Sequence, residues 1–229
     1  MPDADKDAAF RAQQLAAIPR WYSPYGHLCG TLGVGVLATA IAVSHLHGLR
    51  WHDFLVVPAM LIFSNFFEWW AHKNILHRPR WPFRILYEKH TPLHHRLYRW
   101  EDMAVRNVRE FAFVLIPARG VLGIVVSASP LALAIGMLFG PNVGWLALVS
   151  QALYVVAYEV THLCYHLPPS HPVQKVPLIR RLSAHHARHH DPALMNRWNF
   201  NVTLPFADWV LGTILPKDVI DARDLRRKR

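Results

Sequence analysis

Apolar residues run along the chain in four long blocks separated by polar, basic segments. The first block, His27 to Ser44, carries no charge. The second runs from about Phe54 to Trp70 and is interrupted only by Glu68 near its end. A third lies within 111–139, where Pro117, Arg119 and Pro130 interrupt it, and a fourth within 143–163. A membrane-spanning helix takes about 20 apolar residues. The second block is slightly short of that, so it would tilt little or use flanking aromatics as anchors. In the third, either Arg119 snorkels to an interface or the span starts only near Gly120. The pattern predicts an all-α integral membrane protein with about four transmembrane helices.

Composition agrees with that picture. Apolar residues make up 52% of the 229 and charged ones 17%, against roughly 25% charged in soluble proteins. The net charge of +10 fits nucleic acid or an anionic membrane face. Because the basic residues are interleaved with Trp and Phe beside long apolar runs, the membrane is expected and nucleic acid is not. Of the 25 Lys and Arg, three precede the first block, nine fall in 71–110 and eleven follow residue 166. By the positive-inside rule both termini and the middle loop lie in the cytoplasm. Cys29 and Cys164 sit within or beside apolar segments and read as small apolar fillers. Asp3, Asp5 and Asp7 are the reverse of a secretory n-region. The expected organisation is a cytoplasmic N-terminal segment (1–26), a membrane domain (27–215) and a basic tail (216–229).

Sixteen histidines are present, and twelve of them fall in four groups at the same expected membrane face. These are His72 and His77; His90, His94 and His95; His162 and His166, with His171 shortly after; and His185, His186, His189 and His190. The lone residues His27, His45, His47 and His52 read as surface or interfacial. His162 and His166 are four apart, share one helical face and can grip one metal together. His72 and His77 are five apart, about 140° around an α-helix, so they serve different metals or converge where the helix ends. His186, His189 and His190 fall on one side of a segment expected to be helical, since Leu182, Ala184 and Ala187 do not break a helix. Ten imidazoles exceed one tetrahedral zinc, and structural zinc sites usually recruit thiolates. They suit two metals with about five ligands each, with room for a small ligand such as oxygen. The predicted fold is therefore a four-span bundle with a cytoplasmic helical cap holding a dimetal histidine site.

In order, the chain carries HKNILH, HTPLHH, HLCYH and HHARHH. These resemble the HX3–4H, HX2–3HH, HX3H and HX2–3HH boxes of the fatty acid hydroxylase/sterol desaturase superfamily of membrane oxygenases. The phrases EWWAHKNILHRP and YEVTHLCYHLPPSH followed by LSAHHARHH are similar to the fatty acid 2-hydroxylase branch. The resemblance spans about residues 55–215. It implies that His72, His77, His90, His94, His95, His162, His166, His186, His189 and His190 hold two iron ions, with zinc an alternative in purified protein. No catalytic group is implied beyond these ligands. His185 would flank the site or exchange roles with His186, and His171 matches a histidine of the acyl-hydroxylase branch. Glu68 and Glu159, beside ligand histidines, would orient an imidazole through its other N–H, or act as plain helix-end charges.

The resemblance implies an O2-dependent hydroxylase of a lipid acyl chain, a monooxygenase of lipid biosynthesis. Its partners would be a membrane lipid entering at the inner ends of spans two and four, O2, and a separate electron-transfer protein. The external donor is expected because the ~25 residues before the first span are too few for a haem domain. The second box has one more intervening residue than acyl hydroxylases show, which leaves a sterol, hopanoid or carotenoid hydroxylase or desaturase as an alternative. A non-catalytic metal-binding or transport protein is the alternative from another class, though transport favours ionisable groups in mid-membrane. The segments around Trp81, Phe83, Ile85 and Leu86 with Arg80 and Arg84, and around Leu178 and Ile179 with Arg180 and Arg181, are expected to lie on the membrane surface. Pro205 to Leu215 is expected at the interface or packed on the cap, and the closing RRKR against anionic lipid.

Overall fold

The computed structural model describes residues 2–220, with side chains from residue 6 onward; the closing RRKR lies outside the described residues. Helices α1 (Pro2–Ala17), α2 (Pro24–Ser44) and α3 (Val56–Ala71) come first. Short helices α4 (Arg84–Glu88), α5 (His95–Leu97) and α6 (Phe111–Val114) follow, then α7 (Ala118–Phe139), α8 (Pro141–Tyr165), α9 (Pro177–His189) and α10 (Phe206–Val210). No strand forms among the described residues. Four helical stretches are long and apolar enough to cross a membrane: Pro24–Ser44, Trp51–Leu76, Val108–Phe139 and Pro141–Tyr165. The protein is an all-helical integral membrane protein.

Helix α8 is the hub, packing against α2, α3 and α7. Of its apolar stretch 44% is buried, against 17–22% for the other three, so they face lipid where α8 faces protein. Small residues allow the close approach that membrane helices use in place of a hydrophobic drive. A Cβ on Gly144 would lie 2.7 Å from the Ala132 carbonyl and 2.8 Å from Gly136 Cα, so α7 and α8 meet backbone to backbone. Their turn is made at Gly140, whose φ of +110° suits glycine. This end of the bundle is tied by Asn142, which accepts from His47 N (3.1 Å) and donates to His47 O (2.7 Å).

The sequence left the start of the third span open; the helix begins at Ala118, after an extended break at Leu115–Pro117, and runs through Pro130. A break inside an apolar region must have its backbone groups satisfied. Ile116 N donates to Glu159 Oε2 (2.9 Å), and Ile116 O accepts from Thr31 Oγ1 (2.7 Å). The second span is lengthened by a π-helical turn, His72–Leu76, that continues α3. Trp81 is 93% exposed and Phe83, Ile85, Leu86 and Leu178 are also exposed, whereas Ile179 packs against the core around Tyr165 and Leu182.

The N-terminal segment, expected from sequence as a cytoplasmic stretch, forms α1 and docks on α5, which carries His95 of the second histidine box. Arg11, 7% exposed, pairs with the fully buried Glu110 at 2.6 Å and donates to Leu97 O. Tyr98 OH donates to the same Glu110 carboxylate at 3.1 Å. Phe10 lies 3.8 Å under the Arg96 guanidinium, and Asp7 pairs with Arg96 and Arg99.

Candidate metal centre

The histidine-bearing segments meet at the end of the bundle where α3 and α8 terminate. Ten buried histidines form two adjacent groups. His72, His77, His90, His95 and His189 bring one ring nitrogen each to within 4.8 Å of one another, as do His94, His166, His186 and His190. His162 completes the second group, with its Nε2 3.3 Å from His166 Nε2 and its ring 5.0 Å from those of His94 and His186. The groups touch: His95 of the first stacks on His190 of the second with centroids 4.1 Å apart.

Local backbone geometry decides the partition. His72 and His77 converge because the helix ends in a π turn, with His77 N donating to His72 O at 3.1 Å. A π turn takes more residues than an α turn, which returns the fifth residue to the same side, and the rings lie 5.0 Å apart. The second box repeats the device. Lys89–His94 is π-helical, so His90 and His95 face each other, Nε2 to Nε2 at 3.1 Å, in the first group, while His94 turns to the second. The box at α9 is divided, against the expectation that it serves one side. His186 and His190, four apart, join the second group with Nε2 atoms 3.0 Å apart, and His189 joins the first, 2.9 Å from His77.

The donor set fits metal ions. A carbonyl only accepts, so an imidazole bonded to one through Nδ1 carries its proton there and leaves Nε2 as a lone pair. His72 donates to Phe200 O, His189 to Trp198 O at 2.9 Å, His94 to Phe113 O at 2.9 Å, His166 to Met103 O at 2.8 Å and His190 to Tyr98 O. The Nε2 lone pairs then converge, and His94 Nε2 is buried with no hydrogen-bond partner. Facing lone pairs without a cation between them repel, and a buried unpaired acceptor is costly. Two groups of neutral imidazoles without thiolates suit iron, copper or zinc.

Burial also keeps these rings unprotonated. It pushes His77 down to about 2 and His94 to about 4. His90, His95, His166, His186, His189 and His190 all lie well below the usual imidazole value for the same reason, with neighbouring imidazoles adding to it. Each folded value lies below the unfolded value of about 6.5. The unfolded chain therefore binds more protons as pH falls through 6.5, and stability drops from there toward the folded values. Thermal melts of the metal-free protein should be flat above about pH 7 and fall steadily toward pH 4; a midpoint unchanged over that range would contradict neutral buried rings.

Neither glutamate touches an imidazole. Glu68 accepts from Val202 N, Thr203 N (3.1 Å), Thr203 Oγ1 (2.6 Å) and Tyr154 OH (2.5 Å), anchoring the segment that carries the Phe200 carbonyl. Glu159 supports the break before α7 through Ile116 N, three residues after Phe113, whose carbonyl holds His94. His185 turns away from both groups and lies 3.2 Å from Asp208 Oδ2, which leaves His186 as the inward residue of the pair. His171 is exposed and caps the turn Pro172–Lys175 through Val173 N, apart from both groups. Sequence reasoning missed Asp208, Glu110 and Arg11. For Asp208 there was a signal, since it is the only charge in the apolar run 205–215.

Four apolar helices with a double, all-histidine, buried donor set at one end define a class: a helical membrane protein with histidine clusters that could bind metal. Residues 57–213, more than half of the chain, match the fatty acid hydroxylase family, and the chain belongs to that family. Membership brings an oxidoreductase function of the lipid hydroxylase or desaturase type, in a family that is generally metal-dependent. No curated protein and no solved structure matches the chain.

Proposed function

We propose that this protein is a non-haem diiron oxygenase that uses O2 to hydroxylate a lipid acyl chain, in the manner of a fatty acid or ceramide hydroxylase. The observation that carries the reading is the pair of five-histidine groups in contact, each ring buried and five of them fixed by a carbonyl behind. The ten ligands are the histidines of these two groups. Iron bound there supplies the redox chemistry that puts one atom of O2 into a C–H bond and releases the other as water, at a cost of two electrons and two protons. The chain's own part is to hold ten neutral donors in place and to exclude water from them. The electrons come from a separate electron-transfer protein. A lipid reaches the groups from the bilayer along the ends of α3 and α8. The distribution of Lys and Arg supports a cytoplasmic position for the histidines and both termini. The extra residue in the His90–His95 box keeps a sterol, hopanoid or carotenoid substrate as a second reading.

The test is a lipid profile of cells expressing the protein beside a His189→Ala, His190→Ala variant, which removes one ring from each group. One lipid species should gain a single oxygen with the intact chain in air, and neither with the variant nor without O2. Identical profiles, with both proteins in the membrane and an electron donor supplied, would sink the oxygenase reading.

A further inference from the structure

The carbonyls behind the two histidine groups come from two different segments. The first group is aimed by Phe200 O and Trp198 O, which hold His72 and His189. The second is aimed by Tyr98 O, Met103 O and Phe113 O, which hold His190, His166 and His94. No carbonyl serves both groups. Whatever fixes the segment around 198–203 therefore acts on the first group, and whatever fixes 98–116 acts on the second.

Asp208 fixes the first of these segments. Its side chain is fully buried and accepts from Phe200 N (Oδ1, 2.9 Å), Asn201 N (Oδ2, 2.7 Å), Thr213 Oγ1 (Oδ1, 2.7 Å) and His185 Nε2 (Oδ2, 3.2 Å). The first two bonds grip the peptide groups on either side of the Phe200 Cα, the second of which carries the Phe200 carbonyl. The bond from His185 ties the same carboxylate to α9, one turn before His189. Asn199, in the left-handed region at φ +58°, bridges as well: its Nδ2 donates to His185 O (3.0 Å) and its Oδ1 accepts from Leu215 N (2.8 Å). A backbone in that conformation is held only when its surroundings over-determine it. Asp208 in α10 is the charged centre of those surroundings.

Resting on the diiron reading above, we propose that Asp208 is a positioning residue chiefly for the first histidine group. Through the 198–201 backbone it sets where His72 and His189 point, and so sets the affinity of that group for metal; its bond to His185 reaches the second group only indirectly, through α9. The partners of ligand histidines ordinarily change metal affinity by about 10–100-fold when removed, and Asp208 governs two such partners at once.

The experiment is a titration of the metal-free, full-length protein in detergent with Co2+, read by its d–d absorption, with a melt of each metal-free sample. The intact chain should show binding at two groups, and His72→Ala identifies the first group's step by weakening it. Asp208→Asn, equal in size but without the charge, should weaken that step about 10–100-fold and leave the other within twofold. Thr213→Val, which removes one of the four bonds and keeps the carboxylate, should give a smaller loss at the same step and serves if the Asn variant does not fold. Equal weakening of both steps, or a loss at neither, would overturn the assignment of Asp208 while leaving a dimetal protein. An intact chain that takes up no Co2+ would overturn the metal reading itself, and this inference with it.

Discussion

Replacing His77 and His95 together by Ala is expected to leave the protein with one bound metal ion per chain instead of two. His186→Ala with His190→Ala is expected to do the same at the other group. Each pair is drawn from within a single group, His77 and His95 from the first and His186 and His190 from the second. Each group would keep three of five imidazoles, with open positions and no compensating donor. Hydroxylation should fall by more than about 100-fold in both, because loss even of a ligand's supporting partner costs up to that much. Elemental analysis of detergent-purified protein reads the metal, and product formation in membranes reads the activity. If either pair strips both ions at once, the ten histidines form one shared centre and the five-and-five division is wrong.

The second large effect is expected at a buried ion pair that contains no histidine. Arg11→Ala should destabilise the protein by about 3–5 kcal/mol, the usual result of leaving one partner of a buried ion pair alone. Glu110 is 0% exposed, and Arg11 is its cationic partner at 2.6 Å. For a chain of this length that loss corresponds to a fall of roughly 6–20 °C in Tm. Adding Glu110→Gln removes the stranded charge and should restore part of the loss, which a mere packing defect at Arg11 would not show. Tyr98 links the pair to the centre, since its hydroxyl donates to Glu110 and its carbonyl holds His190. A melt unchanged in Arg11→Ala would mean that α1 only rests against the cap.

These two sites mark where the sequence was legible and where it was not. The four spans were readable because about 20 apolar residues in a row have few other uses, and the described helices begin and end within a few residues of the apolar blocks. The four histidine boxes were readable because the residue type itself carries the chemistry. The partition between the groups was not. His72 and His77 meet through a π turn, and the hydrophobic pattern encodes no preference between four and five residues per turn. His189 and His190 are neighbours in sequence yet serve different groups, because adjacent residues on a helix point about 100° apart, which puts His190 with His186 and His189 on the other side. Glu68 was legible as a residue near the site, but its role was not, since it depends on Val202 and Thr203, 134 and 135 residues away. Arg11 and Asp208 are single charges whose meaning comes only from the buried partner that folding brings to each.

The first group joins His77 to His189 across 112 residues of chain, and that separation orders the protein's biosynthesis. When α8 leaves the ribosome, all four spans have been made, but each group still lacks its rings from α9. The carbonyls of Trp198 and Phe200 follow later still, and Asp208 after them. For most of translation the early histidines are therefore present without a complete partner set, and any cation they meet is held by a fraction of its final ligands. Neither group can be complete until the segment through Asp208 has been made, by which time the four apolar helices are already in place.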